Sequence, residues 1–218
     1  MRANQWLLAA ALTAGMTGAA SAAPFQNGDF ESGIDPLVFQ GLPTGNTANI
    51  TGWEVLPNGA TYVGSLWADA DGDPTGRSVE LAATGAGGIK QTFDVVDGLR
   101  YVVTFFYSAD PAVSALRLFE ATVNSGANDA LFSSGFPSLP SNVHNASQMI
   151  WIPASFSFVA DGTAATIAFK SLTAGGFAIA VDNVSVVQVP LPMALPLFGA
   201  GLAALGLVSR RRKKGEAA

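Results

Sequence analysis

Between Pro24 and Gln188 the chain has no apolar run at helical spacing. Short stretches of alternating apolar and polar residues are separated by Gly, Pro, Asn and Asp, the pattern of a sheet protein with many turns. Residues 100–108 place Tyr101, Val103, Phe105 and Tyr107 on one face. Residues 155–158 and 166–170 alternate in the same way, and residues 116–124 predict another strand. In residues 180–187, Val184 and Val186 share one face, Ser185 and Val187 the other. Earlier strands are expected over residues 25–31, 50–55, 61–65, 78–82 and 89–95. Asp97-Gly98 and Asp161-Gly162 read as turns, because Gly supplies positive φ without steric cost. Residues 124–148, with Gly126, Asn128, Gly135, Pro137 and Pro140, read as a long exposed connection. About ten such strands predict an all-β jelly-roll β-sandwich of two packed sheets. No internal repeat and no second domain boundary interrupts the pattern.

The two ends break it. Arg2 precedes an apolar stretch over residues 6–13, and small residues lead to Ala20-Ser21-Ala22-Ala23-Pro24. A positive start, a short apolar core and an Ala-x-Ala site predict a signal peptide over residues 1–23, a signal helix removed after Ala22 or Ala23. Residues 189–208 carry no charge, and Arg210, Arg211, Arg212, Lys213 and Lys214 follow. Twenty uncharged residues are about enough to cross a bilayer as a helix. The basic run is a stop that the positive-inside rule keeps on the cytoplasmic side. Three domains result: the signal (1–23), the sandwich (24–188) and a C-terminal segment with a transmembrane helix (189–218).

Composition sharpens this division. The whole chain has 16 acidic and 11 basic residues, for a net charge of −5. Without its two ends it keeps 15 acidic and 5 basic residues, a net of −10. Such a body repels nucleic acid and attracts cations. The absence of Cys excludes a disulfide framework, thiolate metal sites and a thiol nucleophile. His144 is the chain's one His, so multi-His metal sites are excluded as well. It sits in the expected long loop without a base–nucleophile pattern and reads as solvated.

Val189-Pro190-Leu191-Pro192, an apolar helix and a terminal basic cluster resemble the PEP-CTERM class of sorting signals, in its Val-Pro-Leu-Pro-Ala variant. Leu191 replaces the Glu of the type motif, and Met193 the usual Ala. The resemblance implies a Gram-negative bacterium and an exosortase-like membrane protease or transferase as partner. It also implies an inner-membrane-anchored precursor destined for the cell surface or extracellular matrix. In the body, Asn27-Gly28-Asp29-Phe30-Glu31, Gly52-Trp53, Gly76-Arg77-Ser78-Val79-Glu80-Leu81, Gln91-Thr92-Phe93 and Val181-Asp182-Asn183-Val184 follow in order. That order resembles the choice-of-anchor C and DUF642 proteins, related to carbohydrate-binding modules with a galactose-binding-like fold.

This second resemblance implies a structural Ca²⁺. Glu31, Asp182 and the Asp29 carbonyl would hold it, with carbonyls of a loop near residues 71–78. The chemistry suits Ca²⁺, which takes six to eight oxygens from carboxylates and carbonyls. Asp69, Asp71, Asp73 and Glu80 also match EF-hand positions 1, 3, 5 and 12, but Pro74 stands where the loop needs Gly. Asp71 and Asp73 therefore belong either to a different Ca²⁺ loop or to a solvated acidic turn. For a sugar ligand the expected contacts are Trp67 and Tyr62 as stacking rings and Arg77 as a donor, while Trp53 and Trp151 read as packing residues. Together these readings predict an exported, non-enzymatic, polysaccharide-binding protein. The alternatives are a structural or adhesive matrix protein that binds other proteins, and a polysaccharide hydrolase.

Overall fold

The computed structural model describes residues 23–112, 115–140, 143–173, 175 and 177–190. Residues 1–22 and 191–218 lie outside it. So do almost all of the expected signal, Leu191 and Pro192, the expected transmembrane helix and the basic stop Arg210–Lys214. Eleven strands make up the fold: β1 Phe39–Leu42, β2 Glu54–Val55, β3 Ala60–Val63, β4 Ser78–Glu80, β5 Gly88–Asp94, β6 Arg100–Ala109, β7 Arg117–Ser125, β8 Asn128–Phe136, β9 Ile152–Val159, β10 Ala164–Ser171 and β11 Ile179–Gln188. Among the described residues there is no helix, and none long and apolar enough to cross a membrane.

The strands form two antiparallel sheets, in the orders β1-β3-β4-β11-β6-β9 and β2-β5-β10-β7-β8. Strands β4 to β11 thus give the two four-stranded halves 4-11-6-9 and 5-10-7-8, the interleaved order of a jelly roll. Strand β11, last in sequence, lies at the centre of its sheet between β4 and β6. The core fills the space between the sheets. Tyr101, Val103, Phe105 and Tyr107 all point inward from β6, as their spacing predicts. Phe105 is the hub: its ring lies 5.0 Å from Phe169, 5.4 Å from Phe132 and 6.1 Å from Phe119, each edge-on. Edge-to-face rings place a positive rim on a negative face and add to the apolar burial.

Three expectations change. Residues 25–31 do not form a strand, because Asn27 and Phe30 take positive φ (52° and 58°) and bend the chain. The segment is tied down instead by reciprocal bonds between the Gln26 backbone and the Gln91 amide, both 2.9 Å. The Val184 N–H also donates to the Gly28 carbonyl at 2.8 Å. A Cβ on Gly28 would sit 1.8 Å from the Val184 carbonyl oxygen, so only glycine fits there. Residues 124–148 are not one long loop: β8 pairs with β7 from Arg117↔Phe136 to Ser125↔Asn128. Ala130, Phe132 and Phe136 turn toward the core, and Gly126 at φ 59° makes the hairpin turn. Strand β1 was not expected at all. In β11 the register shifts between Asp182 and Ser185, around Asn183 at φ 48°. This bulge keeps Val181 and Val184 both inward although an odd number of positions separates them.

Candidate functional site

Two features stand out on the sandwich: an acidic cluster where the chain ends meet, and a cavity on the outer face of the six-stranded sheet. The cluster follows from the bend at residues 27–31. It brings Glu31 to the loop before β4, where the Arg77 N–H donates to Glu31 Oε1 at 2.6 Å. The Arg77 guanidinium donates to the Glu31 carbonyl at 2.7 Å and to the Tyr62 hydroxyl at 3.3 Å. Asp35 lies 3.9 Å from it. Asp69 Oδ1 accepts the N–H groups of Asp71 and Asp73, at 3.0 and 2.8 Å. Gly76 lets the Asp69 carboxylate close in, since a Cβ there would meet Oδ2 at 1.8 Å. Asp182, on the bulge of β11, accepts from Ala70 N at 2.9 Å and from Asn183 N at 2.6 Å.

Burial, reinforced by the charges of Asp69 and Asp71, pushes the Asp182 carboxyl up to about 8. Burial also raises Asp69 and Glu31, and Asp69 and Asp29 add repulsion at Glu31. Asp73 is fully exposed, and its bonds from Thr75 lower it. Asp29 Oδ1 accepts the Glu31 N–H at 3.3 Å. Among the described residues no three acidic or histidine side chains converge on one point. The donor set, carboxylates crowded together at partial burial beside backbone carbonyls, nevertheless fits a hard cation in its chemistry.

The cavity arises from a row of residues across five strands. Gly41 of β1 pairs with Thr61 of β3, Thr61 with Glu80 of β4, Glu80 with Ala180 of β11, and Ala180 with Ser108 of β6. All five face away from the other sheet. Residues 66–68 and 145–151 fold over part of this face, so that Val63, Trp67 and Ala180 form a second small core with Met149 and Trp151. What remains open is a cavity of about 580 Å³. Gly41, Thr61 and Glu80 of the sheet form its floor, and Phe39, Leu66, Trp67, Asp110, Asn145 and Phe177 also line it. Phe39 is 57% exposed and Phe177 48%, although both are large aromatic side chains.

Two carboxyl groups lie in this apolar surround. Glu80 is only 4% exposed, and the Ala178 N–H donates to its Oε1 at 2.7 Å. Burial is the main cause that holds it at about 8, and the charge of Asp110 adds to it. Asp110 is likewise raised by burial, against the bond that it accepts from Ala112 N at 2.7 Å and the charge of Arg117. Behind Asp110, His144 is buried: its ring bonds the Ala109 carbonyl through Nε2 at 2.9 Å and accepts Ile150 N–H at Nδ1 at 3.3 Å. The expected solvated histidine is thus a structural brace, packed 5.0 Å from the ring of Phe136 at the end of β8.

The expected ligand residues separate. Trp67 lines the cavity, with its Nε1–H donating to Ser78 Oγ at 3.0 Å. Tyr62 points the other way, fully buried in the main core, and its hydroxyl donates to the Phe30 carbonyl at 2.5 Å. Arg77 stays with the acidic cluster. The sequence reading missed Phe39, Phe177, Glu80 and Asp110. Glu80 was legible as an outward position, since Ser78 and Glu80 alternate with Val79 and Leu81. Its burial depends on segments 66–68 and 145–151, which no local pattern announces.

Strand order makes this a β-sandwich of the jelly-roll class, with a cavity on an outer sheet face rather than between the sheets. The chain belongs to the family described as "Protein of unknown function (DUF642)", whose model matches residues 23–186. It is 32% identical over 171 residues to halomucin of Haloquadratum walsbyi (strain DSM 16790 / HBSQ001), a match over 75% of this chain and 2% of halomucin. The chain thus spans a small fraction of that relative's length. Among solved structures it is similar to TmCBM61 in complex with beta-1,4-galactotriose (TM-score 0.44, 12% identity, 78% of this chain and 100% of that one). It is also similar to a CBM4 (0.42, 14%, 75% and 99%) and to CBM35 from Paenibacillus barcinonensis (0.40, 17%, 70% and 99%).

Proposed function

We propose that the cavity on the outer face of the six-stranded sheet binds polysaccharide without cleaving it. The observation that carries this is that two half-exposed phenylalanines, Phe39 and Phe177, line one cavity together with the buried carboxyls Glu80 and Asp110. Aromatic faces stack on the C–H surface of a sugar ring, and the carboxyls and Asn145 meet its hydroxyls. Mostly apolar concave sites with a few converging polar groups are the usual form of a ligand pocket. Electrophoresis of the protein through gels containing the polysaccharides of its host tests the reading. Wild type should be retarded by at least one of them, and the Phe39→Ala, Phe177→Ala double variant should migrate freely. Equal migration in every gel overturns it.

Two further parts belong to this proposal. The protein is exported by the signal over residues 1–23. It is then sorted through Val189, Pro190, Leu191 and Pro192 and the basic stop Arg210–Lys214 by an exosortase-like partner, with the C-terminal helix in the membrane and its body delivered outside the cell. Glu31 and Asp182, with carbonyls near Asp29 and Asp71, would hold a structural Ca²⁺. Bound there, the ion would neutralise the crowded carboxylates and link the N-terminal segment to β11. A second reading, adhesion to matrix proteins, is favoured by one patch: Ile34, Leu37 and Val38 are all exposed beside Phe39. Pull-down before and after polysaccharide digestion separates the two, because only protein contacts survive digestion.

A further inference from the structure

The cavity's polar groups are unevenly matched. A neutral sugar offers hydroxyls that both donate and accept, and a site for it can mix donors with acceptors. Here the two acidic side chains among the described lining residues are both buried carboxyls, Glu80 in the floor and Asp110 beside it. The Thr61 hydroxyl is spent on the Ala82 carbonyl at 2.6 Å. The cation that acts on both acids, Arg117, is not among the residues that line the cavity. Yet neither acid forms an ion pair among the described residues, where the pairs are Arg77–Asp35 and Lys90–Glu54. Both nitrogens of His144 are already engaged with the backbone. Among the described residues the lining holds no positive group beside these two carboxyls and their apolar surround.

We propose that the cavity selects sugar units that carry a protonated amine, with the ammonium seated against Glu80 and Asp110 and the ring held between Phe39 and Phe177. This rests on the reading of the cavity as a polysaccharide site and names its substrate class. An ammonium supplies three donors and no acceptor, which complements carboxylates. It favours the ionised form of both acids and gains from the faces of nearby aromatic rings. Charge-assisted bonds of this kind are stronger than those between neutral groups. The acidic body, −10 without its two ends, draws polycations toward the site from a distance.

The test compares β-1,4-linked glucosamine oligomers with their fully N-acetylated counterparts, which differ in that each amine is capped and neutral. Isothermal titration with the purified protein at pH 6.5 should give at least tenfold tighter binding for the amine form. Glu80→Gln and, separately, Asp110→Asn should bring the ratio of the two affinities toward one. General attraction to an acidic body would survive both substitutions, so an undiminished preference in both variants overturns the proposal. Equal binding of the two oligomers by wild type, or tighter binding of the acetylated form, also overturns it and leaves the polysaccharide reading intact. Failure of both oligomers, together with free migration in every polysaccharide gel, overturns both readings at once.

Discussion

Raising the pH from 5 to 8 in the presence of a chelator should lower the melting temperature of this protein steeply. The perturbation acts on Asp182, 2% exposed and held at about 8 rather than its ordinary 3.8. A carboxyl whose pKa is higher in the folded than in the unfolded state binds more protons when folded. Its contribution to stability is complete below about pH 4 and is lost as the pH rises through about 8. At about 1.4 kcal/mol per pH unit, three units of pH weaken the fold by about 4 kcal/mol through this group alone. Glu80, also at about 8, adds a loss of the same sign and similar size. A domain of ordinary stability has about 5–15 kcal/mol in total, so the effect is large. For a protein of this length each kcal/mol moves the melting temperature by about 2–4 °C, so Asp182 alone accounts for about 10 °C. Calcium at millimolar concentration should restore the part that belongs to Asp182, because the ion replaces the proton as the compensating charge. It should leave the part that belongs to Glu80. Calorimetry at pH 5, 6, 7 and 8, with chelator and with Ca²⁺, reads both parts. Asp182→Asn should flatten about half of the chelated slope and abolish the response to Ca²⁺. A chelated melting temperature that stays level or rises between pH 5 and 8 would refute the reasoning.

Three smaller predictions follow from the packing. Gly28→Ala forces a Cβ to within 1.8 Å of the Val184 carbonyl oxygen and should cost about 3 kcal/mol or more in a urea titration. His144→Ala leaves the Ala109 carbonyl and the Ile150 N–H without their ring partner, and should cost about 2 kcal/mol by the same assay with the far-ultraviolet spectrum unchanged. Lys90→Ala removes an exposed 3.2 Å ion pair with Glu54 and should change stability by less than about 1 kcal/mol.

Much of this architecture was legible in the chain. The period-two pattern identified β6, β9 and β10, and in β6 the inward residues as well, because one buried face and one wetter face force that alternation. Where both faces are buried the signal fades: β3 and β4 are covered on their outer side by Trp67 and its neighbours, and each ends two residues before its expected end. Strand β8 was hidden for a different reason. Its Gly, Ser and Asn residues resemble loop chemistry, and only pairing along the whole length of β7 makes it a strand. The acidic cluster was half legible, since Glu31, Asp69 and Asp182 lie in recognisable motifs while their mutual approach is a property of topology. The cavity was least legible. Phe39, Glu80, Asp110 and Phe177 are far apart in sequence, and pairing through β1, β3, β4 and β11 joins the strands that carry them or lead to them.

On this reading the outer-face cavity holds sugar. Residue-resolved amide chemical shifts, recorded while an oligosaccharide from a retarding polysaccharide is titrated in, test it most directly. The account predicts saturable changes confined to Phe39, Gly41, Thr61, Trp67, Glu80, Asp110, Asn145, Phe177 and their chain neighbours. Changes centred instead on Glu54, Lys90 and Thr92, on the outer face of the other sheet, would contradict it.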